Sequence, residues 1–226
     1  MKKITSLALL FVLIVVSCKD DKKQEETAAI PKVEKTILEK VAFAHGFENW
    51  KKVNEIKFTF NVERDTTHFE RDWIWHIKEN DVTAKDAKET IRYNRNLLDS
   101  ITKKTNGGFI NDKFWLLAPY QLIWDQNNFK YEHATTTEAP ISKNQMQKLT
   151  IVYSNEGGYT PGDAYDFYFN DDYIIKEWVF RKGNQTEPSM ATTWEDYKEL
   201  NGLKIAQTHK NAEGNFNLHF TGLEVK

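Results

Sequence analysis

Two rhythms of apolar residues divide the chain. Near the start, Val33, Ile37, Val41 and Ala44 recur at spacings of four, four and three, and Leu38 and Ala42 widen the stripe. That period predicts a helix over Lys32–His45, with Pro31 in its first turn and Gly46 as a stop. "FENWKKV" suits a second short helical turn. The period then falls to two. In "EIKFTFNVE", Ile56, Phe58, Phe60 and Val62 share one face, while Lys57, Thr59 and Asn61 share the other. "RDTT" turns the chain, and "HFERDWIWHIKEN" returns with Phe69, Trp73, Trp75 and Ile77 on one side, a β-hairpin. "ETIRYNRN" predicts a third strand, and "LLDSITKKTNGG" a helix ended by Asn106-Gly107-Gly108.

The second half repeats the strand signal in "QKLTIVYS", "AYDFYFN", "YIIKEWVFRK", "ATTWEDYKEL", "LKIAQTHK" and "FNLHFTGLEV". Turn-rich stretches such as "NEGGYTPGD", "KGNQTEP" and "NAEGN" separate them. Asn201-Gly202 predicts a tight hairpin. Leu223 and Val225 fall out of phase with Phe216, Leu218 and Phe220, so Gly222 should mark a bulge. In "YIIKEWVFRK", Ile174, Trp178 and Phe180 oppose Tyr173, Ile175 and Val179, so both faces need cover. The expected fold class is mainly β (α+β): a large curved antiparallel sheet or half-barrel of about nine to eleven strands, with one or two helices packed on its concave face.

The first residues carry an address. Lys2 and Lys3 precede a mostly apolar run from Ile4 to Val16, long enough for a signal-peptide core and too short to span a bilayer. The run closes in Val15-Val16-Ser17-Cys18, which resembles the lipobox of bacterial lipoproteins. That resemblance implies cleavage after residue 17 and acylation of Cys18, the chain's single cysteine. Two or more acyl chains, at about 0.8 kcal/mol per buried CH₂, make a stable anchor, so the expected partner is a membrane. Lys19, Asp20 and Asp21 resemble the export signal of surface-exposed Bacteroidota lipoproteins. The implied location is the outer membrane, on its surface or in its periplasmic leaflet. The expected organisation is a signal peptide over 1–17, an acylated cysteine and disordered tether over 18–31, and one β-rich domain over 32–226.

Composition narrows the partners. Aromatics make up 13% of the 226 residues, material for a sizeable core. Losing the two lysines of Met1–Ser17 takes the formal charge from −2 to −4, which argues against a nucleic-acid partner. One cysteine excludes an internal disulfide.

A leading anchor, a first helix and a long run of antiparallel strands resemble the lipoprotein-binding fold of LolA and LolB. "DKFWLLAPYQLIWD" is similar to that family's Trp-x-x-x-Pro region, here Trp115 to Pro119, where a strand-like segment ends at a proline. "AHGFENWKKVNEIKFTF" and "GGYTPGDAYDFYFNDDYIIKEW" are similar to segments of Bacteroidota lipoproteins related to the fold. The resemblance implies an open half-barrel, lidded by helices, around an apolar cavity for acyl chains.

Candidate chemistry follows. Phe58, Phe60, Trp73 and Trp75 on adjacent strand faces, with Trp115, either line a cavity for a lipid or other hydrophobic ligand or fill a sheet core. A filled core would leave an envelope scaffold. Asp163, Asp166, Asp171 and Asp172 lack calcium-loop spacing and fit turns better. The six histidines show no metal-ligand spacing, and no nucleophile elbow, P-loop or dinucleotide fingerprint occurs, so neither catalysis, a metal nor a cofactor is expected. A hydrolase would have to use His45, or His76 with Asp72 or Glu70; His45 more simply ends a helix, where a cation is favoured. Asp65-Thr66-Thr67 and Asp99-Ser100-Ile101 resemble Bacteroidota O-glycosylation triplets.

Overall fold

Thirteen strands and two α-helices make up the computed structural model, which describes residues 34–86 and 88–226. The signal peptide, Cys18, Lys19, Asp20, Asp21 and the expected tether lie outside the described residues. The strands are β1 Glu55–Arg64, β2 Thr67–His76, β3 Asp81–Lys85, β4 Thr90–Asn94, β5 Phe129–Glu138, β6 Gln145–Tyr153 and β7 Ala164–Phe169. They continue with β8 Ile175–Arg181, β9 Met190–Thr193, β10 Lys198–Leu200, β11 Leu203–Ile205, β12 Thr208–Lys210 and β13 Phe216–Val225. The helices are α1 Ile37–Ala44 and α2 Ser100–Trp124.

All pairings are antiparallel. One sheet runs β12-β13-β1-β2-β3-β4 and a second runs β5-β6-β7-β8-β9. They meet along β9 and β12. There Glu195 N–H donates to Thr208 O (2.9 Å), Thr208 N–H returns the bond (3.3 Å), and Lys210 N–H donates to Thr193 Oγ1 (3.1 Å). The result is one curved eleven-strand array whose free edges are β4 and β5. β10 and β11 form a separate hairpin across Asn201-Gly202, both at positive φ as the tight turn requires.

The chain crosses between the two free edges as α2. Asp99 and Thr102 form its capping box. The sequence pattern ended this helix at Asn106-Gly107-Gly108, and the family resemblance implied a strand-like segment from Trp115 to Pro119. The helix instead continues to Trp124, and every residue from Asp112 to Leu122 is buried. A helix segment enclosed on all sides has no exposed polar face, and with Asp112, Lys113 and Gln121 buried among its apolar residues it loses the amphipathic rhythm that separates it from a buried strand. Gly108 has a packing reason: a Cβ there would lie 2.9 Å from Arg71 Nη1. Pro119 offers no N–H to Trp115 O, and the helix kinks nearby, at Leu117.

Residues 109–115 wedge between the two sheets. Phe109 packs on Trp73 and Trp75 (ring centroids 5.3 and 5.6 Å), and Phe114 on Tyr165 and Trp178 (4.9 and 5.8 Å). α1 begins later than its periodicity implied, because Thr36 and Glu39 form a capping box there. A 3₁₀ turn, Phe47–Lys52, leads into β1.

Two strand details decide which side chains face inward. Gly222, at φ 56°, makes the expected bulge: register slips between Thr59↔Thr221 and Lys57↔Glu224, returning Leu223 and Val225 to the core. A second slip, between Tyr168↔Glu177 and Phe169↔Ile175, puts Ile175 rather than Ile174 in the main core with Trp178. The outer face of β8 is covered by a turn, not a helix. Glu177 accepts from the N–H groups of Ile141 (2.7 Å) and Ser142 (3.0 Å) over a small cluster of Ala139, Met146, Tyr168 and Val179. Polar, largely exposed β5 carries little alternation, which is why its sequence gave no strand signal.

Candidate functional site: an apolar cavity between the sheets

An aromatic-lined cavity of about 390 Å³ lies between the inner faces of the two sheets, beside α2. β1 and β13 supply one wall with Phe60, Val62, Phe216 and Leu218. β7, β8 and β9 supply the opposite wall with Tyr165, Trp178, Phe180 and Met190. Asn111 and Trp115 come from α2, and Trp115 meets Trp178 edge-on (4.4 Å) and Phe216 (6.3 Å).

The "NEGGYTPGD" stretch covers one side. Gly157 and Gly158 sit at φ 76° and 75°, and a Cβ on Gly158 would come within 2.6 Å of the Tyr153 ring. This backbone lays Tyr159 flat on Phe114, centroids 3.8 Å apart and planes 3° apart. Thr160 Oγ1 and Tyr165 Oη share a hydrogen bond of 3.0 Å. Burial holds the Tyr159 and Tyr165 hydroxyls well above the usual phenol range, so both stay neutral. Arg64, exposed at the end of β1, is then the charged residue of the lining. Its guanidinium lies 5.5 Å from the Phe216 ring centroid.

The aromatic candidates separate. Phe60 and Trp115 line this cavity. Phe58 is sealed in the core edge-on to Phe220, and Trp75 is enclosed by Trp50 and Phe109. Trp73 borders a different hollow of about 510 Å³, where Lys85, Asp86, Glu89 and Lys104 surround it with charges of both signs. Trp73 Nε1 also donates to Asp112 (2.8 Å), which Arg71 grips through Nε (3.0 Å) and Nη2 (2.7 Å). A third hollow, about 700 Å³, runs outside the cavity mouth and shares Arg64, Met190 and Phe216 with it. Tyr159, Trp178, Phe180, Met190 and Phe216 were missed as site residues. Their strand alternation matches that of β1, but Tyr159 sits in a loop whose sequence signals only a turn.

The remaining candidates have structural partners. His45 caps the end of α1 as expected, but fully buried, its ring bonded to Val41 O (2.8 Å). Burial lowers its pKa to about 4, so it is neutral rather than the cation the helix terminus suggested. His76 is exposed beside Glu55 (3.3 Å), not Asp72 or Glu70. Asp163 accepts from Gly183 N–H (2.7 Å), Asp166 from Thr150 and Arg181 (2.6 and 2.9 Å), Asp171 from Gln147 (2.9 Å) and Asp172 from Ile174 N–H (3.0 Å). Among the described residues, no cluster of His, Cys, Asp and Glu is arranged to hold a metal. Asp99 is occupied as the α2 cap, while Asp65-Thr66-Thr67 is exposed in the β1–β2 turn.

No family model and no curated protein matches this sequence. The chain is similar to several solved structures at TM-scores below 0.5. A DUF1329 family protein from Desulfovibrio piger superposes with a TM-score of 0.46 at 8% identity, covering 85% of this chain and 94% of its own. A domain described as an outer membrane lipoprotein-sorting protein, from Vibrio parahaemolyticus, gives 0.43 at 9% identity, covering 80% and 92%. MucB gives 0.29 at 9% identity, covering 83% of this chain and 57% of MucB.

Proposed function

We propose that this chain is an outer-membrane lipoprotein, anchored through acyl chains on Cys18, whose domain holds a lipid or other hydrophobic ligand without catalysing a reaction on it. The observation that carries the ligand reading is the cavity between the sheets. At about 390 Å³ it falls inside the ~300–1,000 Å³ range of small-molecule sites. Its walls are aromatic and aliphatic, as such sites require. Phe60 and Trp115 are the ligand contacts within the set singled out by sequence. Trp73 and Trp75 pack on Phe109 of α2, and Phe58 lies in the same core against Phe220.

The anchor reading rests on the run from Lys2 to Cys18, and the export reading on Lys19, Asp20 and Asp21. Residues 18–31 serve as the tether and 32–226 as the binding domain. The scaffold alternative takes its support from the core around Phe109, where Trp73 and Trp75 are packed closed.

Trp115 and Trp178 make the ligand reading testable. Titrating Lys35–Lys226, the compact unit that contains the whole described core, with a bromine-labelled fatty acid should quench tryptophan fluorescence saturably. Bromine quenches only at short range, so unquenched emission up to the solubility limit would reject the cavity as a lipid site.

A further inference from the structure

We infer that the ligand is a single-chain amphiphile with an anionic head, its tail in the cavity and its head bound by Arg64. This rests on the cavity being a ligand site, and it adds the class of ligand and the residue that selects it.

The argument is one of charge placement. Arg64 is the one charged residue in the cavity lining, and it stands at the end of β1, where the cavity meets the outer groove. Among the described residues it has no carboxylate partner; the structure's ion pairs engage Arg71 and Arg181 instead. Its planar guanidinium rests near the Phe216 ring, which leaves the fork of N–H donors free to meet a carboxylate or phosphate edge-on. The neighbouring turn residue Asp65 and the groove's Glu213 belong to the outer hollow and not to the cavity lining. An anion at the mouth therefore meets Arg64 first, while a cation would meet it as a repulsion.

The interior complements a tail rather than a second head. Its polar groups are all neutral, namely Asn111, Tyr159, Thr160, Tyr165 and the indole N–H groups of Trp115 and Trp178; Thr160 and Tyr165 are already bonded to each other, and Tyr159 Oη lies 3.5 Å from Asn111 Oδ1. A charge carried inside would lose its hydration without a partner. A volume of about 390 Å³ suits one chain, not the paired chains of a diacyl lipid.

The test measures binding by Lys35–Lys226 of three probes with equal tails: palmitate, palmitoyl-lysophosphatidylglycerol and the uncharged monopalmitoylglycerol. Arg64 is exposed, so Arg64→Gln should fold normally. The expected result is tighter binding of the two anions than of the neutral probe, a loss of about tenfold for the anions in Arg64→Gln, and a smaller loss in Arg64→Lys, which keeps the charge without the fork of donors. The neutral probe should bind both proteins alike. The ratio of the two anions then identifies carboxylate or phosphate as the preferred head. Equal binding of all three probes, unchanged by Arg64→Gln, would overturn the inference and leave the cavity as a lipid site. Binding of none would overturn the cavity reading itself.

Discussion

Tyr159 lies flat against Phe114, with ring centroids 3.8 Å apart, and so joins a surface loop to the middle of the central helix. The stack holds the loop over the cavity together with the Thr160–Tyr165 hydrogen bond. Aromatic pairs contribute about 0.5–1.5 kcal/mol beyond the area they bury. Tyr159→Ala should therefore cost about 2 kcal/mol in denaturant unfolding and speed ligand release. Tyr159→Phe should cost little, since the Oη contact to Asn111 is long at 3.5 Å. An unchanged release rate in the alanine variant would remove the loop from the binding account.

The Arg71–Asp112 pair fixes α2 to β2. Asp112 is fully buried, and burial pushes its carboxyl pKa up even against Arg71. Arg71→Met would leave that carboxylate without its cation, at a cost of about 3 kcal/mol. Adding Asp112→Asn removes the charge and keeps an oxygen for Trp73 Nε1, so the double variant should recover part of the loss. Urea midpoints for the two variants would decide it. A double variant less stable than Arg71→Met would contradict this account.

Stability should fall on acidification before the carboxylates titrate. Burial lowers the pKa of His45 to about 4 and of His209 to about 3. The unfolded chain takes up these protons near pH 6.5 and the folded chain does not. The two histidines' contribution is thus complete above pH 6.5 and is lost as pH falls toward about 4 for His45 and about 3 for His209. Each adds a slope of about 1.4 kcal/mol per pH unit in that window. His209→Gln should remove one such slope, read from unfolding curves at pH 5 and 6. An unchanged slope would mean that His209 takes up a proton in the fold.

Cys18→Ala should release the protein from the membrane fraction while leaving the near-ultraviolet circular dichroism of the domain unchanged. Persistence in the membrane fraction would reject the acyl anchor.

Much of this architecture was legible because β-strands with one buried face alternate. The β1–β2 hairpin, the Asn201-Gly202 turn and the Gly222 bulge all follow from local rules of pleat and turn. What hid was whatever touches apolar or polar surroundings on every side. The buried half of α2 has no exposed face to set a rhythm, and β5 has almost no buried one. The site was half legible for the same reason. Phe60 and Phe58 carry the same signal, yet only Phe60 borders the cavity, because the difference depends on where α2 fills the space between the sheets. Arg64 gave no signal of its own, since a charged residue beside a turn is ordinary until its neighbours in space are known.

The measurement that tests the central claim most directly is native mass spectrometry of the chain from Lys19 onward, purified from a bacterial periplasm, with lipid extraction alongside. The account predicts a mass shift matching one single-chain anionic lipid per protein, recovered in the extract and lost in Arg64→Gln. A bare protein mass, in material whose extract carries no lipid and which takes up none when palmitate is added, would contradict it.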